Sequence, residues 1–211
     1  MYHEPGTTPD KAPDRIEIRP KGSIQRLTAL KADILRLADE SLGVAAIAPN
    51  GKPQSWLIDL RPLFMRIESL RAVADAFWRA NGGRSDVQLA GMEVAAIPLL
   101  TGLLLAQPAD VSVNGLIIRK ERKTTGFARA IEGVIMDKPV ILVDDIINSG
   151  DSAEKARIAL ADAGLSICEM FVVIDYRSKR GMEWRKKHAI KVRSLFTLDD
   201  FGLTLGSNKK Q

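Results

Sequence analysis

One cysteine, two histidines and an aromatic content of 5% leave little material for several kinds of site in this 211-residue chain. A single cysteine cannot build an internal disulfide framework and fits a reducing compartment. That residue, Cys168, lies in the strand-like Ser166-Ile-Cys-Glu-Met-Phe-Val-Val-Ile174 and is expected to be a small buried hydrophobe. His3 and His188 lack metal-ligand spacing, so a zinc site is not expected. No apolar run approaches the roughly twenty residues of a membrane span, and no hydrophobic leader pattern opens the chain. No membrane partner is expected, and a cytoplasmic setting is. The few aromatics also give little for nucleic-acid bases to stack on.

What the chain does hold is apolar residues at 45%, enough for one good core and so one domain. Residues 1–22 are rich in Pro, Gly, Asp and Lys without apolar period and read as a flexible arm. A single domain is expected over 23–205, with a small hood at about 23–65, a core at about 66–205 and a frayed tail at 206–211. Ser23 is expected to cap a helix carrying Ile24, Leu27, Leu30, Ile34 and Leu37 on one face. A strand is expected at 55–59, a helix at 67–80, then strands and helices in alternation. Strands at 87–90, 115–119, 140–143 and 167–174 and helices from 99 and at 153–163 argue for α/β: a central parallel sheet flanked by helices.

The net charge is +5. Arg119, Lys120, Arg122, Lys123 and Arg129 crowd one segment, and Arg177-Ser-Lys-Arg180 and Arg185-Lys-Lys187 add more. Such a balance fits nucleic acid, but basic loops around a small polyphosphate give the same sum. The second reading is preferred.

The most informative stretch is Val140-Ile-Leu-Val-Asp-Asp-Ile-Ile-Asn-Ser-Gly-Asp-Ser152. An apolar run reads as a buried parallel strand, and it meets two carboxylates, then a turn, then a helix. Ligands of open α/β sheets collect where such strands end. Hydroxyls and helix-start amides suit a phosphate monoester. Paired carboxylates suit sugar hydroxyls or a hydrated Mg²⁺. Taken one at a time, these residues are also ordinary capping and turn residues.

The run resembles the PRPP-binding signature of the type I phosphoribosyltransferases. Asn114-Gly-Leu-Ile-Ile-Arg-Lys-Glu-Arg-Lys-Thr-Thr-Gly126, followed by Ile131-Glu-Gly133, is similar to the orotate phosphoribosyltransferase branch, in which a strand ends in Arg-Lys-Glu before a basic loop. Asn50-Gly-Lys-Pro-Gln-Ser-Trp-Leu-Ile-Asp-Leu-Arg61 resembles the N-terminal Ser-Gly-Lys-x-Ser-Pro-Tyr-Tyr-x-Asp-Leu-Arg of that branch, and Arg193-Ser-Leu-Phe-Thr-Leu198 its closing strand.

The resemblance implies transfer of the phosphoribosyl group of PRPP to a nitrogenous base, orotate or a related pyrimidine, with release of pyrophosphate and with Mg²⁺ as cofactor. It implies that Ser149, Gly150 and Ser152 hold the 5′-phosphate and that Asp144 and Asp145 engage the ribose, directly or through the metal. It assigns Arg119 and Lys120 to the pyrophosphate and Lys123 to a loop that closes over the site of the neighbouring subunit in a homodimer. Asn148, Asp151 and Arg177 complete the implied binding set, with Lys123, Asp144 and Asp145 as the catalytic residues.

The chain departs from the family pattern at several of these places. Thr125 stands for the usual His before the loop glycine, Pro49 for a Lys near the pyrimidine carboxylate, and Asn148 for a Thr. The family's Asp-Arg reads Asp175-Tyr-Arg177, and Glu93 and Val94 stand where small residues are usual. Asp151 adds an anion to the phosphate cradle. Besides the enzyme, these departures admit a non-catalytic PRPP- or nucleotide-binding regulatory protein on the same fold, and the charge admits a nucleic-acid module.

Overall fold

The computed structural model describes residues 21–40, 46–47, 53–54, 58–120 and 130–205. Most of the expected arm, the tail, Pro49, and the loop bearing Lys123 and Thr125 lie outside the described residues. The first helix, α1 (Lys21–Glu40), begins ahead of Ser23. It buries Leu27, Leu30, Ile34 and Ala38, one face at helical spacing, whereas Ile24 is exposed. A two-stranded antiparallel pair follows, β1 (Ala46–Ile47) with β2 (Pro53–Gln54). The strand expected at 55–59 is not confirmed: its described residues, Ile58 and Asp59, are not in a strand. They lead instead into the short α2 (Arg61–Phe64) and then α3 (Ile67–Asn81), which Gly82 ends in the left-handed conformation.

The main sheet is built from β3 (Gln88–Met92), β4 (Gly115–Ile118), β5 (Ile131–Glu132), β6 (Val140–Ile147), β7 (Ile167–Asp175) and β8 (Lys191–Thr197), in the order β5-β4-β3-β6-β7-β8. All neighbours are parallel except the edge pair β4–β5, which is antiparallel. Two residues are too few for a readable period, so sequence reasoning missed that edge strand. Between strands lie α4 (Ala96–Leu105), α5 (Asp151–Asp162) and α6 (Lys179–Lys187). The last was read as basic loop. It is a helix because Ser178 caps it, accepting the Gly181 N–H at 3.1 Å, and because Trp184 is buried among its charges.

Helices cover both faces. Ile141 and Val143 of β6 join a core with residues of α1, α3 and α4, while Val140 and Leu142 join Ala156, Leu160 and Trp184 of α5 and α6. This alternation follows from the period of two. Cys168 departs from its expectation: it stands at the outer start of β7 and is exposed. No helix among the described residues is long and apolar enough to cross a membrane.

The topology fixes where a ligand fits. From β3 the chain leaves through α4 to β4 on one side, and from β6 through α5 to β7 on the other. Their carboxyl ends therefore diverge into a crevice at the switch point of the sheet.

Candidate active site

A cleft of about 340 Å³ opens at that point. The end of β3 contributes Glu93, the end of β4 Lys120, β6 Asp144 and Asp145, the start of α5 Ser152, the segment before α2 Asp59, and the first residue of α2 Arg61. Gly91 makes the crevice narrow. A Cβ there would meet the Ala96 Cβ at 2.5 Å, so the first turn of α4 lies directly on β3.

The acid pair is set inside β6, which continues through it to Ile147 rather than ending at Val143. Its carboxylates are turned onto neighbouring amides: Asp145 N–H donates to Asp144 Oδ1 at 3.0 Å, and Ile146 N–H to Asp145 Oδ1 at 2.8 Å. Burial pushes the Asp144 carboxyl well above the usual range, the charge of Asp145 adds to this, and the Lys120 ammonium pulls the other way. Burial raises Asp145 too, and Asp59 faces it as a further like charge. Asp59 itself is held low by Arg61, which grips it through Nε and Nη2, both at 2.7 Å. The cleft floor is thus a desolvated negative site that a cation would stabilise.

The other end is built for an anion. Asn148, Ser149 and Gly150 turn the chain into α5, which starts at Asp151 and not at Ala153. Gly150 is the N-cap with φ 85, and an added Cβ would lie 2.8 Å from Trp184 Cγ. The first amides of α5 have no intrahelical acceptor and point outward from its start.

No family model matches the chain. It is 32% identical over 163 residues to the orotate phosphoribosyltransferase of Rhodopirellula baltica, covering 73% of this chain and 83% of that protein. The enzyme of the same name from Pyrococcus furiosus is 32% identical over 153 residues, 71% of this chain and 81% of the relative. The chain belongs to the orotate phosphoribosyltransferase family. The fold agrees: the Mycobacterium tuberculosis orotate phosphoribosyltransferase superposes with a TM-score of 0.70 at 22% identity, over 84% of this chain and 99% of that one. The PRPP complex of the same enzyme superposes with a TM-score of 0.64 at 20% identity.

Of the residues singled out from sequence in this orotate phosphoribosyltransferase relative, Lys120, Asp144, Asp145 and Ser152 share the cleft. Asn148, Ser149, Gly150 and Asp151 form the adjoining turn. Arg119 does not join them; its Nη1 lies 3.3 Å from Glu132 on β5. Arg177 is exposed with φ 50, its N–H donating to Asp175 Oδ1 at 2.8 Å. Asp175 is instead gripped by Arg185 at 2.8 and 2.9 Å. Asp59 and Arg61 were quoted in the Asn50–Arg61 resemblance but given no role; their position within that motif was the available signal.

Proposed function

We propose that the chain transfers the phosphoribosyl group of PRPP to orotate or a related pyrimidine and releases pyrophosphate. The observation that carries this reading is the meeting of Lys120 with the half-buried Asp144–Asp145 pair beside the start of α5. In the transition state of such a transfer, positive charge develops on the ribosyl carbon while negative charge leaves on the diphosphate. Asp144 and Asp145, short of a cation in the free protein, face the first; Lys120 neutralises the second. Ser149, Gly150 and Ser152 with the first amides of α5 hold the 5′-phosphate, so the phosphoribosyl donor is held at both ends.

Mg²⁺ fits this donor set. Among the described residues no group of three or more His, Cys, Asp or Glu could hold a metal alone. Mg²⁺ is commonly bound by one or two carboxylates plus substrate phosphates, and Asp144 and Asp145 supply that number. When bound, the ion would offset diphosphate charge. We assign Lys123 to a closing loop shared between two subunits of a homodimer, residues 23–205 to one domain, and the protein to the cytoplasm.

The test is pyrophosphate release from PRPP and orotate with Mg²⁺. Wild type should turn over, and Lys120→Ala should lower kcat/KM by about 100-fold or more. Wild type without pyrophosphate release across a panel of bases would end the proposal.

A further inference from the structure

The phosphate turn already contains an anion. Asp151, the first residue of α5, accepts the Ser149 hydroxyl at 2.8 Å and Arg180 Nη2 at 2.8 Å. Ser149 Oγ also accepts the Asp151 N–H at 3.4 Å, so this hydroxyl is engaged within the turn, and a like charge sits where a phosphate would dock. What offsets this is Arg180, which arrives from a different element.

Its delivery is built into the backbone. Ser178 Oγ donates to the Asn148 carbonyl at 2.7 Å while capping α6. A Cβ on Gly181 would lie 2.1 Å from that same carbonyl oxygen, so the first turn of α6 rests on the phosphate turn with no side chain between them. Arg180 is fixed between Lys179 and Gly181 in this contact. Among the described residues only its Nη2 is engaged, so most of its five N–H donors are uncommitted.

We propose that Arg180 is a specificity-determining residue of the 5′-phosphate site. Nη2 stays on Asp151, the other guanidinium donors take the terminal phosphate of the ligand, and the Ser149 hydroxyl turns from Asp151 to the same phosphate. The ligand class is a phosphate monoester of a pentose. This deepens the phosphoribosyl-transfer reading and rests on it for the identity of the substrate.

Two measurements on wild type, Arg180→Ala, Arg180→Lys, Asp151→Asn and the Asp151→Asn/Arg180→Ala double variant test it: calorimetric binding of ribose 5-phosphate, and KM and kcat for PRPP with orotate. Both positions are exposed, and unchanged thermal melts would establish intact folds. Arg180→Ala should weaken ribose 5-phosphate about fivefold to tenfold and raise the PRPP KM by a similar factor, with kcat within about twofold. Arg180→Lys should recover part of the loss. The penalty should persist in the Asp151→Asn background, because the phosphate still lacks its donor. If it vanishes there, Arg180 serves only to neutralise Asp151 and the proposal is overturned; an Arg180→Ala protein that binds like wild type overturns it equally. Arg180-dependent binding of ribose 5-phosphate without any pyrophosphate release in wild type would support the proposal while removing the transferase reading.

Discussion

Glu93 accepts the backbone N–H of Lys120 on Oε1 at 2.8 Å, and the Glu93 N–H donates to the Ile118 carbonyl at 2.9 Å. These two bonds tie the end of β3 to the end of β4. They hold the Lys120 backbone at the cleft, but they also set a carboxylate beside the place where a diphosphate would leave. Glu93 therefore combines a scaffolding role with an electrostatic cost.

Glu93→Gln separates the two. The amide oxygen can still accept from Lys120 while the charge is gone, so the KM for PRPP should fall about threefold to tenfold with kcat little changed, as expected for removing about 1 kcal/mol of like-charge repulsion. Glu93→Ala should instead lower kcat, because the Lys120 amide loses its acceptor. Steady-state kinetics at fixed ionic strength would distinguish them. A higher KM in Glu93→Gln would mean that the carboxylate lies outside the field of the leaving group.

The acid pair makes the free protein sensitive to pH in a defined direction. Asp144 and Asp145 both titrate above their ordinary 3.8 in the folded state. Between that value and their raised ones the folded chain binds more protons than the unfolded chain, so stability falls as pH rises through the window. Asp144→Asn removes the largest share of this. It should raise Tm at pH 7 by a few degrees, roughly 2–4 °C per kcal/mol recovered at this chain length. The gain should shrink as pH falls toward 3.8. The same substitution should lower kcat by about 100-fold or more. Thermal melts from about pH 4 to 8 measure the first effect, and equal Tm values throughout would contradict it.

Packing between α6 and the phosphate turn gives a steric prediction. Gly181→Ala would place a methyl group 2.1 Å from the Asn148 carbonyl oxygen, a backbone atom with little freedom to yield. The substitution should cost about 1–3 kcal/mol in urea unfolding and raise the PRPP KM, since the turn must shift to admit it. Gly82→Ala is the comparison: nothing lies within 4 Å there, although its φ of 60 adds strain, so it should lose stability without altering KM.

How much of this was legible in sequence depended on how far apart the interacting residues lie. The β6–turn–α5 unit is contiguous, so its acids, its glycine and its approximate helix start could be read locally. The Arg180–Asp151 contact spans 29 residues. Sequence supplied both charges but not the Gly181 contact that brings them together. Helix α6 was hidden by its own composition: Lys179, Arg180, Arg185, Lys186 and Lys187 mask a buried face that is essentially Gly181 and Trp184. Arg119 is a second case: adjacent in sequence to Lys120 and, like it, past the end of β4, it pairs with Glu132 of β5, thirteen residues away, a contact that only the antiparallel edge pair brings about.

Glu154 offers the last prediction, because it joins α5 to α6 behind the phosphate turn. Its carboxylate accepts Arg157 Nε and Nη2 at 2.9 and 2.8 Å and Trp184 Nε1 at 2.8 Å. Hydrogen bonding from Arg157 first, and from Trp184 next, brings its pKa from 4.5 down to about 2. A carboxyl lowered in the folded state contributes stability above its unfolded value and loses it as pH falls toward the folded one. Glu154→Gln should therefore cost about 1 kcal/mol at pH 7, a figure kept small because the pair is partly solvated. That deficit should close as pH is lowered from 4.5 toward about 2. The same indole backs Gly150, 2.8 Å from where a Cβ would sit. Glu154→Ala, which also takes the acceptor from Trp184 Nε1, should raise the PRPP KM as well, with kcat nearly unchanged, since the turn binds phosphate and takes no part in bond cleavage. A stability deficit independent of pH would show that packing, rather than the charge on Glu154, holds α6 in place.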